Sequence, residues 1–149
     1  MKFLYVYTNA MRDDIDIPWA VLKNGHEMEY YPRNIEPESF GVDSETTVGE
    51  VLGVIKSGNF DGIISWNYFP EVSDACELAG IPYMSWLFDS PLLHVYAKNI
   101  FNSCNYIFDF DRTSYFDLKA KGINAFYLPL GVNTERLEGV SITDADMKK

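Results

Sequence analysis

The string SWLFDSPLLHVY, Ser85 to Tyr96, places a carboxylate, a hydroxyl and an imidazole directly after an apolar run, at Asp89, Ser90 and His94. A carboxylate in that position can act as general base toward a sugar hydroxyl, or it can cap the turn by accepting backbone N–H bonds. Asp89 is the first candidate for a catalytic base. His94 is near enough in sequence to share a cleft and is the second, although a lone His beside apolar residues is more often structural. A second group is FDFDRT, Phe108 to Thr113, in which Phe108 and Phe110 alternate onto one side and Asp109 and Asp111 onto the other. A buried Asp109 needs a partner, and Arg112 is the nearest cation in sequence. A structural ion pair with a helix cap competes there with ligand binding. Trp66 and Asn67, followed by Tyr68 and Phe69, form an aromatic and amide cluster that can stack on a sugar face and hydrogen-bond its hydroxyls, or pack between domains. With Asn9 and Arg12 in the loop after the first apolar run, the candidate substrate-binding set is Asn9, Arg12, Trp66, Asn67, Ser90, Asp109 and Arg112.

Other chemistries are excluded by what the chain lacks. The loop Thr8 to Asp14 has no glycine to let a backbone approach a pyrophosphate, and neither GxGxxG there nor GxxxxGK[ST] anywhere is present. Asp13 and Asp14 invite comparison with the acidic pocket of a response-regulator receiver. The third strand, however, ends Ser65, Trp66, Asn67 without a phospho-accepting Asp, and the fifth is followed by Asp111 and Arg112 rather than Lys. Those two acids read as a solvated turn into a helix. Cys76 and Cys104 have no His or Cys at metal-ligand spacing, so both read as small buried hydrophobes, and no metal site is expected.

These residues must be positioned by elements that alternate along the chain. Runs rich in Val, Ile, Tyr and Phe recur at Lys2–Thr8, Glu27–Tyr31, Gly62–Trp66, Tyr83–Phe88, Tyr106–Phe110 and Phe126–Leu130, with helical periodicity between them. That rhythm predicts an α/β fold, a Rossmann-like three-layer αβα sandwich with a mostly parallel sheet of about six strands and helices on both faces. Pro18 and Gly25 mark the start and stop of the first helix. Val48, Val51, Leu52 and Ile55 stripe the second, with Thr47 and Glu50 at capping-box spacing and Gly58 at its end. Pro70 and Gly80 bracket the third, and Asp111 should N-cap a fourth that Gly122 ends. Leu92 to Asn102 is expected as one short helix, and the polar stretch Arg33 to Glu45 as a mobile or ligand-facing loop. In such a sheet, ligands bind beyond the carboxyl ends of the strands, which is where the candidate residues fall.

The chain has 149 residues, with 12 Lys plus Arg against 22 Asp plus Glu, a formal charge of −10 and 47% apolar residues. A domain of this size buries enough surface to fold without disulfides or a structural metal. The negative charge repels phosphate backbones, so nucleic acid is a poor partner. No apolar run approaches the ~20 residues of a spanning helix, the N-terminus does not read as a signal peptide, and a cytoplasmic location is expected.

Two longer segments, Ile64–Leu93 and Tyr106–Asn133, resemble the N-terminal domain of bacterial glycosyltransferase-like proteins related to the spore maturation protein CgeB, most specifically in SWLFDSP, FDRTSYF and YLPLGVN. The resemblance implies residues 1–132 as the Rossmann-like, acceptor-side half of a GT-B glycosyltransferase, with 133–149 a linker or tail toward a C-terminal half. It implies a nucleotide-sugar donor held by that C-terminal half in cis, a glycan or other hydroxyl acceptor held here, no cofactor in this half, and a base such as Asp89 that deprotonates the acceptor. The C-terminal half has no counterpart in these 149 residues, so this half is expected to be inactive alone. The competing expectation is a non-catalytic Rossmann-like module that binds a glycan or protein, or dimerises through exposed aromatics.

Overall fold

In the computed structural model the described residues are 1–8, 16–33, 44–90 and 92–138. Asn9, Arg12, Asp13 and Asp14 lie outside them, as do most of the Arg33–Glu45 stretch and the chain beyond Glu138. The elements run β1 (Lys2–Thr8), α1 (Asp16–Lys23), β2 (Glu27–Arg33), α2 (Ser44–Gly58), β3 (Gly62–Trp66), α3 (Pro70–Ala79), β4 (Tyr83–Leu87), two 3-10 turns (Leu93–Tyr96 and Lys98–Phe101), β5 (Asn105–Asp109), α4 (Arg112–Ala120), β6 (Ala125–Tyr127) and α5 (Thr134–Glu138). The six strands form one parallel sheet in the order β2-β1-β3-β4-β5-β6, an α/β Rossmann-like fold. Register places Trp66 beside Trp86 and Leu87 beside Asp109, which aligns the carboxyl ends of β3, β4 and β5.

Strand pleating sends alternate side chains to opposite faces, and the two faces are covered unequally. On one, Leu4, Ile63, Tyr83 and Ile107 pack against Val51 and Ile55 of α2, Val72 and Cys76 of α3, and Leu118 of α4, all buried in one continuous core. Both cysteines are free and buried. The other face carries Ile64 and Trp66, Met84 and Trp86, Tyr106 and Phe108, and Phe126. Among the described residues its helices are α1 and the five-residue α5, tied together by a Lys23–Glu135 ion pair and by Asn133 Nδ2 donating to Asp16 at 3.3 Å. Helices on both faces are thus present, but Tyr106 and Phe126 remain about 40% exposed.

Most expected boundaries hold to within two or three residues, and the departures have local causes. Gly80 (φ 69°) takes the left-handed conformation that ends α3, its N–H and that of Ile81 donating to the carbonyls of Glu77 and Cys76. At the end of α2 the left-handed residue is instead Asn59 (φ 50°), while Gly58 stays helical. The helix begins at Ser44, which puts the expected Thr47–Glu50 capping box inside it. The single helix expected over Leu92–Asn102 is replaced by the two 3-10 turns. The Asn105 amide, fully buried, donates to the carbonyls of Asn99 (2.8 Å) and Ile100 (3.1 Å), the first of which also accepts from Asn102 N (3.0 Å), and Asn99 and Asn102 both donate to Asp74 of α3, so the segment is pinned to its neighbours by side chains.

Among the described residues, no helix is long and apolar enough to cross a membrane.

Gly58 yields a prediction opposite to helix propensity. A Cβ there would fall inside the van der Waals envelope of the Phe60 ring, which is buried in the core and cannot swing away freely. Gly58→Ala, which in an open helix would stabilise, is expected to cost about 1–3 kcal/mol through overpacking, read as a lowered urea midpoint.

Candidate functional site

The carboxyl ends of β3, β4 and β5 are joined by a continuous chain of polar contacts. Asn67, the residue after β3, has φ 65°, a left-handed conformation that Asn tolerates better than most residues. Its N–H donates to Trp86 O (2.8 Å), continuing the sheet, while its side chain turns toward the loop after β4. There Oδ1 accepts from the backbone N–H groups of Phe88 (2.8 Å) and Asp89 (3.1 Å), and Nδ2 donates to Asp89 Oδ2 (2.7 Å). Asn67 is therefore a buried latch that uses both ends of its amide on one loop. Its carbonyl is held from behind by Ser65 Oγ (2.6 Å), which also bonds the buried Tyr83 hydroxyl (2.6 Å).

The latch leaves Asp89 exposed, with Asn67 Nδ2 as its one hydrogen-bond donor among the described residues. Backbone capping, the competing explanation for this carboxylate, is not what it does. The backbone amides at this corner are taken by Asn67 instead. Ser90, also exposed, donates to Asp111 Oδ2 (2.8 Å) and so links the β4 loop to the β5 loop. Asp111 N-caps α4 as expected, its Oδ1 accepting from Thr113 N (2.8 Å) and Ser114 N (3.4 Å). The Ser90 hydroxyl, followed by these two amides, holds the Asp111 carboxyl below its ordinary range.

Asp109 is buried at the end of β5. Its Oδ1 accepts from Asp111 N (2.9 Å), and its Oδ2 is buried with no hydrogen-bond partner among the described residues. The expected Asp109–Arg112 ion pair does not form. Arg112 is exposed on the first turn of α4, and its guanidinium lies over the Tyr127 ring at 5.8 Å. Being the first residue of a helix capped by Asp111, it is turned toward β6 instead of back into the sheet. His94 is exposed in the first 3-10 turn, where its carbonyl accepts from Ala97 N.

The aromatic cluster after β3 divides. Trp66 stays half-buried on the open face, edge to face with Trp86 (centroids 5.4 Å) and tilted against Phe88 (5.1 Å). Tyr68 and Phe69 turn inward and are buried in the core, so they present no ring to a sugar. The structure thus brings together Trp66, Asn67, Asp89, Ser90, Asp109 and Asp111 along one edge, and leaves Arg112 apart. Asn9 and Arg12 follow β1, which adjoins β3, but lie outside the described residues. Sequence reasoning singled out Asn67 as a ligand for hydroxyls and missed that it organises the loop bearing Asp89. The signal was present in its type and place, an Asn immediately after a strand, where a left-handed turn is tolerated. Among the described residues, no group of three or more His, Cys, Asp or Glu could hold a metal ion.

No family model matches the sequence, and no curated protein matches it either. Solved structures do. The UDP-GlcNAc 2-epimerase of Neisseria meningitidis, bound to UDP-GlcNAc, superposes with a TM-score of 0.60 at 12% identity over 85% of this chain and 45% of that one. The UDP-GlcNAc 2-epimerase of Methanocaldococcus jannaschii gives the same values, a TM-score of 0.60 at 12% identity with 85% and 45% covered. The likeness is one of fold, a GT-B-like Rossmann domain, and the chain spans less than half the length of either epimerase.

Two measurements probe the latch. Asn67→Ala removes three hydrogen bonds and places a Cβ without a compensating side chain at positive φ. It is expected to cost about 2–4 kcal/mol in urea unfolding, with Asn67→Gly costing less because glycine keeps the left-handed turn. Because the folded Asp111 titrates below its unfolded value, its contribution is complete above the ordinary Asp range and is lost as pH falls through the lowered pKa. Ser90→Ala, which removes the largest cause, is expected to move the Asp111 titration back up, followed by its carboxyl NMR shift.

Proposed function

We propose that this chain is the acceptor-side half of a glycosyltransferase of the CgeB-related kind, with Asp89 as the base. One observation carries the reading: an exposed carboxylate at the carboxyl end of a central strand, aimed by Asn67 and not consumed by backbone amides. Further support comes from where the three resembling strings fall. SWLFDSP begins within β4 and runs into the loop after it, FDRTSYF spans the turn after β5 and the first half of α4, and YLPLGVN begins at the end of β6 and leads toward α5. The absence of a glycine phosphate loop from the sequence suits a half that binds an acceptor while another binds the nucleotide.

In this reading the acceptor hydroxyl approaches Asp89, which takes its proton as the oxygen bonds to the sugar's anomeric carbon and the nucleoside diphosphate leaves with its bonding electron pair. Asn67 acts as a positioning residue, since it touches Asp89 and the Asp89 amide. His94 is the alternative base. Trp66, Ser90 and, from the β1 loop, Asn9 and Arg12 would contact the acceptor. Arg112 and Asp109 serve structure here: one lies over Tyr127, the other receives the Asp111 amide. The second reading, a non-catalytic glycan- or protein-binding module, is favoured by the open aromatic face of the sheet, and through that face a homodimer could also form.

Two experiments separate these readings. With this half joined to a donor-binding half, Asp89→Asn is expected to lower kcat by about 10²–10⁴-fold with little change in acceptor KM, and unchanged turnover overturns the assignment. By isothermal titration the 149-residue chain alone is expected to bind no UDP-sugar. Micromolar binding would instead make it a nucleotide-binding domain.

A further inference from the structure

All three tryptophans of the chain, Trp19, Trp66 and Trp86, line one cavity of about 390 Å³. It lies between α1 and the open face of the sheet, with Ile64, Met84 and Phe108 as its floor and Leu128 and Val132 on the far side. The volume falls within the ~300–1,000 Å³ of typical small-molecule sites, which are also predominantly apolar with few polar groups. Some of its polar groups bond each other or the backbone. Trp86 Nε1 donates to Leu128 O (3.3 Å), and Asp16 accepts from Asn133 Nδ2 (3.3 Å).

These observations select a ligand chemistry. A sugar ring placed here would give up its hydration to a mostly apolar lining whose polar side chains, Asp16 and Asn133 among them, are too few for its hydroxyls, at a cost of order 1–3 kcal/mol for each one left unpaired. An anion would meet Asp16 on the wall. A neutral aromatic ring loses nothing by desolvation and can lie against crossed indoles, whose planes meet at 68° between Trp66 and Trp86. The cavity adjoins the candidate base through a single residue step, because Asn67 follows Trp66 and holds Asp89. We infer that the cavity binds the aromatic portion of a neutral, hydroxyl-bearing molecule. The acceptor would then be an aryl alcohol or phenol rather than a free oligosaccharide. This names the acceptor for the transferase reading and rests on it, but binding can be measured without turnover.

The tryptophans make the cavity its own reporter, since no indole lies elsewhere in the chain. Titration of the 149-residue protein with 4-nitrobenzyl alcohol, a neutral quencher, is expected to give saturable loss of indole fluorescence with half-saturation below about 1 mM, whereas methyl glucoside neither quenches nor competes. Ala20→Phe, at an exposed position of α1 that lines the cavity, and Val132→Glu, at a 70% exposed position on the opposite wall, should each weaken binding at least tenfold with unchanged circular dichroism. Leu78→Glu, exposed on α3, should leave it unchanged. Linear, non-saturating quenching, competition by methyl glucoside, or indifference to both cavity variants overturns the proposal. So does a stable dimer, seen by sedimentation, in which the cavity is closed to the probe. Failure of binding leaves the Asp89 test standing, and binding together with unchanged turnover of Asp89→Asn would keep the cavity and remove Asp89 as the base.

Discussion

A parallel strand cannot be joined to its neighbour by a tight turn; the chain must return along a face of the sheet, and it does so almost always with a right-handed crossover. That constraint dictates the rest of this molecule. From β2 onward the strands advance in one direction across the sheet, so α2, α3, the 3-10 turns and α4 fall on the same face and build the core. Only the β1-to-β2 step runs the other way, and it alone sends a crossover helix, α1, to the opposite face. The second layer is thin because the strand order leaves it one crossover. An aromatic sheet surface, a cavity beside α1 and an uneven exposure of tyrosine and phenylalanine follow from the order of six strands.

The same order reverses between β1 and β3, where connections leave in opposite directions. The described candidate residues gather beside that point, at the carboxyl ends of β3, β4 and β5, for physical reasons. Loops at the carboxyl ends are not committed to the ladder, so their side chains can bond one another. Asn67, Asp89, Ser90, Asp111 and Asp109 form such a relay across three strand ends, each contact at 3.1 Å or less. One carboxylate in the relay stays exposed while another is sealed beneath it.

Periodicity makes the strand and helix pattern readable in the sequence alone, because apolar alternation and the 3.6-residue stripe are direct consequences of burying one side of each element. The Pro70–Gly80 bracket and the Asp111 cap were legible because each depends on its own neighbours alone. What did not read was anything decided across elements. The segment Leu93–Phe101 is pinned by Asp74 of α3 and Asn105 of β5, and it forms 3-10 turns where the local pattern reads as a helix. Gly58 is required by the Phe60 ring and not by a left-handed turn, which its neighbour supplies. Tyr68 and Phe69 look like ligand-stacking rings in the sequence, but the φ of Asn67 turns the chain so that both enter the core. Proximity in sequence pointed Arg112 at Asp109, and the start of α4 turned it away.

The central place of β1 also bears on how the protein comes into being. Of the six strands this one is made before the others, yet its partner toward the core, β3, ends about 60 residues later at Trp66. At synthesis rates of ~5–20 residues per second, its hydrogen-bonding edge waits several seconds for that partner. Once β3 docks, each later strand finds the growing edge immediately, because β4, β5 and β6 add in the order they emerge. The nascent chain therefore passes through one vulnerable interval, with Phe3, Leu4, Tyr5 and Val6 unprotected, and then assembles by accretion; a holding chaperone would have its chief work before residue 66 and little after it.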